Sequence, residues 1–225
     1  MCRGEEEKKS ETQCEREIWE NMTPSAWHLS IAKPDSIFLD TYKATRAQIE
    51  REVLSHGYDV ILEVGCGTGD ILGKLSIDVP KFGIDINPEF IEFCEETHGS
   101  RCDFQVVDAI QLNDWWKHVG AKYKKPLITC VNNTLNIMPE ELRGVVISQM
   151  LQVAGDQGRC LVTYWNGHFF SHALLNYYKE NSDLCGDFDV KKHVDWDQRH
   201  LLTPGGYSTE WMLPKQVQKL MRSCE

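Results

Sequence analysis

The chain of 225 residues predicts an α/β fold, doubly wound around a mostly parallel sheet. Three observations carry that expectation. Between Asp59 and Trp165 short apolar runs alternate with amphipathic stretches five times; a glycine-rich corner directly follows the first run; and Pro88 heads the clearest helical stretch. Parallel neighbours need crossover connections, so strands alternating with helices imply a parallel sheet covered on both faces. In such a sheet ligands bind beyond the carboxyl ends of the strands, where the strand order reverses.

Taken in order, residues 1–17 hold ten charges and no large aliphatic side chain, and are expected as a mobile tail. Residues 18–225 are read as one domain. Its first part, 18–57, is an N-terminal helical cap: Trp19, Pro24, Trp27 and Pro34 lead into a helix with Leu39, Tyr42, Ile49 and Val53 on roughly one side, ending near Gly57. A ligand-binding core over 58–165 follows. In it DVILEV is the first strand, GCGTG the glycine corner, DILGKL a short helix, KFGIDI the second strand and PEFIEFCEETH a helix. FQVVDA, PLITCV and RCLVTYW are the third to fifth strands, with NDWWKHV and PEELRGVVISQMLQV as the helices between them. An aromatic-rich insertion over 166–212 is expected as a substrate lid, with two extended stretches around the turn Pro204-Gly205-Gly206. Residues 213–225 read as a terminal helix opening at Pro214.

Composition narrows the function classes. With 41% hydrophobic residues a chain of this size buries roughly 70% of its unfolded surface, enough for a core without disulfides or metals. The net charge of −10 opposes proteins that neutralise nucleic-acid phosphates or dock on anionic membranes, so neither nucleic acid nor membrane is expected as a partner. The nine cysteines are odd in number, scattered and without a CxxC pair, which fits reduced thiols in the cytoplasm. The N-terminus has no apolar signal region, and no run approaches the roughly 18 apolar residues of a membrane span.

The corner Glu63-Val64-Gly65-Cys66-Gly67-Thr68-Gly69-Asp70 has glycines at alternate positions, where missing Cβ atoms let the backbone turn sharply and approach a ligand. Its spacing is neither the GxGxxG of dinucleotide sites nor a phosphate loop, which would end in GK[ST]. A carboxylate at the loop exit suits a cationic ligand better than a polyanion. The segment ILEVGCGTGD resembles the first motif of the class I S-adenosylmethionine-dependent methyltransferases, and three further segments resemble that family's motifs in register: GIDINPEFIEFC, QVVDAIQL and TCVNNTLNIMP. The resemblance covers about residues 59–165. It implies a Rossmann-like fold, S-adenosylmethionine as cofactor and methyl transfer as the activity.

Residue by residue, the resemblance implies that the loop Gly65, Cys66, Gly67 and Gly69 cradles the cofactor; the chemistry of the residues adds Glu63, reaching its ammonium end through water. It implies that Asp85, with Ile86 beside it, holds the ribose hydroxyls, that Asp108 with Ala109 meets the adenine amino group, and that Asn132 stands by the methionine moiety. A carboxylate accepting from a diol or an amine is suited to these roles; Asp85 and Asp108 also stand where helix N-caps occur. The segment NNTL departs from the [DNS]PP[YFW] of nucleobase amino methylases. Family members usually add a sixth strand and an antiparallel seventh. This sequence is expected to lack them, leaving an open sheet edge through which a homodimer could form.

Methyl transfer from a sulfonium is an in-line displacement in which alignment and exclusion of water supply most of the effect. As catalytic candidates the sequence offers His168 as a base and Asn133 as an orienting amide. As substrate contacts it offers Tyr42, Arg46, Trp165 and His172. His168 and His172 are four residues apart, but no Glu follows in the HExxH manner, so no metal is expected. The expected acceptor is a small molecule, an amine or a carboxylate-bearing metabolite. The alternatives are a protein or peptide methyltransferase, favoured by a long open groove, and a catalytically silent cofactor-binding or partner-stabilising subunit.

Overall fold

The structure is a computed structural model that describes residues 18–31 and 37–224; the tail expected over 1–17 lies outside the described residues. Five parallel strands form the centre: β1 (Val60–Val64), β2 (Lys81–Asp85), β3 (Asp103–Val106), β4 (Pro126–Cys130) and β5 (Arg159–Val162). Their order is β3-β2-β1-β4-β5. The chain therefore winds outward one way through β1, β2 and β3 and the other way through β4 and β5. The reversal leaves a crevice between the carboxyl ends of β1 and β4.

Every residue of β1 and of β4 is buried, as expected of central strands covered on both faces. Val60, Leu62 and Val64 join one apolar cluster with Ile128, Val146 and Met150, whereas Ile61 joins the other with Ile49 and Val53. Glu63 follows the two-residue period onto the face of Ile61 and is carried into the interior at the end of the strand.

The helices before the sheet include α1 (Pro24–Ile31) and α2 (Ile37–His56). α2 stops at Gly57, whose φ of +66° and N–H donated to the Val53 carbonyl at 2.8 Å make a left-handed helix end. Its buried stripe runs through Phe38, Tyr42, Ile49 and Val53. Leu39, expected on that stripe, is 40% exposed, because Phe38 takes the inward place against Trp165 and Tyr177. The helix expected from DILGKL is one 3₁₀ turn, Leu72–Lys74. Gly73 lies at its centre against the His98 ring, and the backbone is extended again by Leu75.

The covering helices are α3 (Pro88–His98), α4 (Leu112–Val119), the short α5 (Thr134–Ile137) and α6 (Glu140–Ala154). The insertion holds three short helices, α7 (Phe170–Asn176), α8 (Ser182–Cys185) and α9 (Val190–His193). Its extended stretches pair with each other rather than with the main sheet. They form a separate antiparallel sheet of β6 (Val194–Asp195), β7 (His200–Leu202) and β8 (Ser208–Glu210). The insertion closes on itself where the Gly167 N–H meets the Met212 carbonyl at 2.9 Å. α10 (Pro214–Arg222) then packs Leu220 and Met221 toward the α6 side.

Among the described residues, β5 has a strand neighbour only on its β4 side, as the sequence leads one to expect. Seven described cysteines are free thiols, and no helix among the described residues is long and apolar enough to cross a membrane.

Candidate active site

A cavity with about 1100 Å³ of empty space, its mouth included, opens at the crevice between β1 and β4. Its floor is the glycine corner. Gly65, Gly67 and Gly69 have φ of +68°, +51° and +72°, values that disfavour any side chain. At Gly65 there is also no room for one, since a Cβ would stand 2.3 Å from Thr134 Cγ2. The Gly65 and Cys66 amides donate to the Ile84 carbonyl at 2.8 and 3.0 Å, holding the corner against β2. Gly69 does not line the cavity; its Cα faces Cys94, His98 and Phe104, so its role is to pack the corner against α3.

Four carboxylates line the cavity: Glu63, Asp70, Asp85 and Asp108. Glu63 is only 2% exposed and its Oε2 has no partner. Burial pushes its pKa well above the ordinary carboxylate value, opposed by a bond from the Leu72 amide, with the neighbouring Asp85 and Asp70 adding to the rise. Asp85 accepts from the Gly67 amide at 2.9 Å and from the Asn87 amide at 3.0 Å. Burial raises its pKa despite those bonds. Asp108 Oδ1 accepts from the Ile110 amide at 3.2 Å, so it caps a helical turn and lines the cavity at once. Asp70 accepts from Thr68 Oγ1 at 2.9 Å, pairs with Lys74, and has His28 Nδ1 at 3.7 Å.

After β4 the backbone turns through two left-handed residues, Asn132 (φ +56°) and Asn133 (φ +70°). Asn132 lines the cavity. Its backbone amide donates to Thr163 Oγ1 at 2.7 Å, its Oδ1 accepts from Thr45 at 3.3 Å, and its side chain also bonds the phenol of Tyr42. Asn133 is 1% exposed and points away. It donates to Thr209 Oγ1 and the Glu210 carbonyl and accepts from the Trp165 and Asn136 amides. Beyond it Ile137, Met138 and Leu142 supply an apolar wall, held by Arg143, which donates to the Met138 carbonyl at 3.1 Å and pairs with Glu210 at 2.5 Å.

The roof comes from the cap. Trp19, Trp27 and Tyr42 all line the cavity; the Trp19 and Trp27 rings meet edge to face at 5.8 Å, and Trp19 also meets Tyr207 of the insertion at 5.8 Å. Burial lifts the Tyr42 phenol far above its ordinary pKa, so it stays protonated.

The fold brings together Tyr42, Glu63, Gly65, Cys66, Gly67, Asp85, Ile86, Asp108, Ala109 and Asn132 around this cavity. Of the expected site residues it leaves out Gly69, described above, and five others. His168 is exposed on a 3₁₀ turn, and His172 is exposed on α7 beside Asn176. The inward stripe of that segment is Phe170, Ala173, Leu174 and Tyr177, which turns both histidines outward. Trp165 is stacked on Trp211 at 5.7 Å and edge-on to Phe38, as a packing residue. Arg46 spends a guanidinium N–H on the Asp70 carbonyl behind the loop, and Asn133 ties two segments of backbone together. His168 and Asn133, the catalytic candidates of the sequence, therefore stand outside the cavity lining. Residues the motifs leave out include the apolar wall, which carries no chemical signature, and Asp70, whose position at the loop exit was the available signal.

The model of a family described as methyltransferase domain matches residues 55–221. The chain belongs to the methyltransferase domain family. The resemblance drawn from the four motifs is borne out by that match, and the enzyme class with it. Solved structures of similar fold include the magnesium protoporphyrin IX methyltransferase of Synechocystis PCC 6803 with bound S-adenosylhomocysteine, at 14% identity and a TM-score of 0.60 over 93% of this chain and 86% of that one. Another is the CcbJ methyltransferase of Streptomyces caelestis, at 13% identity and a TM-score of 0.57 over 96% and 88%. A third is the Burkholderia thailandensis 1,6-didemethyltoxoflavin N1-methyltransferase, at 15% identity and a TM-score of 0.54 over 89% and 75%. No curated protein matches the chain.

Proposed function

We propose that this methyltransferase binds S-adenosylmethionine in the cavity at the β1/β4 crevice and methylates a small-molecule amine. The residues present fit the cofactor. The unpartnered, buried Glu63 Oε2 is the atom an ammonium group would satisfy, and the glycine floor is a cradle that a Cβ would fill. Asp85 would hold the ribose hydroxyls, since its two oxygens offer about four acceptor sites and the Gly67, Asn87 and Ile86 amides use three. Asp108 and the neighbouring Ala109 would meet the adenine edge, and the wall of Ile137, Met138 and Leu142 would cover its ring. When bound, the cofactor supplies a methyl group already activated on a sulfonium.

The observation that carries the amine is the charge of the lining. Four carboxylates and no Lys, Arg or His line the cavity among the described residues. A carboxylate acceptor would enter that field unpaired, whereas an amine arrives as a cation and is favoured by acids and by the faces of Trp19, Trp27 and Tyr42. The protein's own part is then alignment and exclusion of water. Asn132 and Tyr42 offer hydrogen-bonding groups at the cavity wall, and the aromatic roof keeps solvent from the nucleophile. Tyr42 stays protonated and so orients rather than takes a proton. An amine that arrives as a cation must give up a proton before its lone pair attacks the methyl group; a lining carboxylate or solvent at the mouth would accept it, a step that calls on neither histidine. The roof also supports a small acceptor over a protein or peptide, which an open groove would suit.

Methyl-labelled S-adenosylmethionine incubated with the protein and with metabolite fractions split by charge tests this reading. Label is expected in the cationic amine fraction. Label confined to the carboxylic acid fraction, or to protein, would contradict it.

A further inference from the structure

Asn87 stands two residues after Asp85, and the sequence assigns it nothing beyond the start of α3. It is fully buried, and every polar atom of its side chain is used. Oδ1 accepts from the Glu89 and Phe90 amides at 2.9 and 3.2 Å, which caps α3. Its own backbone N–H donates to Asp85 Oδ1. Capping needs only the acceptor, which Ser, Thr or Asp would provide equally. The two amide protons are surplus to that task, and both are spent on the roof: Nδ2 donates to the Trp19 carbonyl at 2.8 Å and to the Met22 carbonyl at 2.7 Å.

The segment so held is the one that carries Trp19 over the cavity. On its far side it meets the insertion, where a Cβ at Gly206 would stand 2.4 Å from Ile18 Cδ1 and where Tyr207 packs on Trp19. One buried residue thus touches three things: the carboxylate assigned to the ribose, the helix that follows, and the aromatic roof. Loss of the two donors would leave two backbone carbonyls without their partner in an interior site, a cost that loosening of the roof would relieve.

We propose that Asn87 is a positioning residue that latches the Trp19 roof to the strand end bearing Asp85, so that roof and cofactor acid are set in one geometry. The consequence for cofactor binding rests on the cavity reading given above; the latch itself does not.

Asn87→Ser keeps a helix cap and discards the two long-range donors, and Asn87→Asp does the same with an added charge. Each is compared with the wild-type full-length protein by acrylamide quenching of the Trp19 emission, isolated by subtracting a Trp19→Phe partner, and by calorimetric titration with S-adenosylhomocysteine. Both variants are expected to melt cooperatively, to expose Trp19 to quencher at least about twofold more, and to bind S-adenosylhomocysteine about tenfold more weakly. A Trp19 accessibility and an affinity within about twofold of wild type in both variants would overturn the proposal. So would failure of both to fold, since the residue would then serve the core as a whole. Greater Trp19 exposure in the variants, with a wild-type protein that takes up no S-adenosylhomocysteine, would support the latch while removing the cofactor assignment.

Discussion

Glu63 is a carboxylate placed in the interior by strand alternation and left with one oxygen unpaired. Because burial raises its pKa in the folded state, the folded protein holds a proton that the unfolded chain has lost between the ordinary carboxylate value and the raised one. Stability of the unliganded protein therefore falls as pH rises through that window. Glu63→Gln removes the titrating group and keeps the shape, so thermal melts across pH should show a flatter profile and a higher melting temperature at the upper end of the window. The same variant should bind S-adenosylmethionine more weakly, since the ammonium loses its counter-charge. A pH profile unchanged by the substitution would deny Glu63 this part. Asp85→Ala should weaken cofactor binding at least about tenfold, because a hydrogen bond to a charged group contributes about 1.5–3 kcal/mol; calorimetry of the variant reads this directly. At this scale the sequence was legible where chemistry and a local corner coincide, as at Glu63, Gly65 and Asp85. It was not legible for His168 and His172, whose orientation is decided by which face of a short helical segment is apolar rather than by their spacing.

Elements position those residues, and two substitutions probe how. Gly65→Ala asks for a side chain at φ +68° and within 2.3 Å of Thr134 Cγ2, which links the corner after β1 to the turn after β4. Strain and overpacking should cost about 1–3 kcal/mol, with cofactor affinity lost in parallel, as denaturant melts and titration would report. Arg143 holds the wall after β4 to β8 through Glu210 and the Met138 and Asn136 carbonyls. Arg143→Ala should destabilise the protein by roughly 3 kcal/mol, the cost of leaving a buried ion pair half made, and a loss below about 1 kcal/mol in a denaturant melt would show the link to be slack. The strands and the longer covering helices were readable from alternation, length and punctuation: Pro88 and Gly57 mark helix ends in the structure as they do in the sequence. DILGKL failed because a central glycine and its packing against His98 outweigh a short helical pattern.

For the whole molecule, what escaped the sequence are contacts between distant segments. The order β3-β2-β1-β4-β5, the Asn87 bonds to Trp19 and Met22, and the Asn133 bond to Thr209 join positions that periodicity leaves unrelated. Periodicity reports which face of an element is apolar; it does not say which other element covers it. The molecule that results is a sheet whose reversal opens a crevice, a cap that roofs it with aromatic rings, and an insertion whose hairpin braces both the roof through Tyr207 and the wall through Glu210. The central claim is that this crevice holds the adenosyl sulfonium on Glu63, Asp85 and Asp108. Calorimetric titration of the wild-type protein and of Asp85→Ala with S-adenosylmethionine tests it most directly. A single saturable site in the wild type, weakened at least about tenfold in the variant, is the result the account predicts; no uptake by the wild type, or equal affinity in the two proteins, would contradict it.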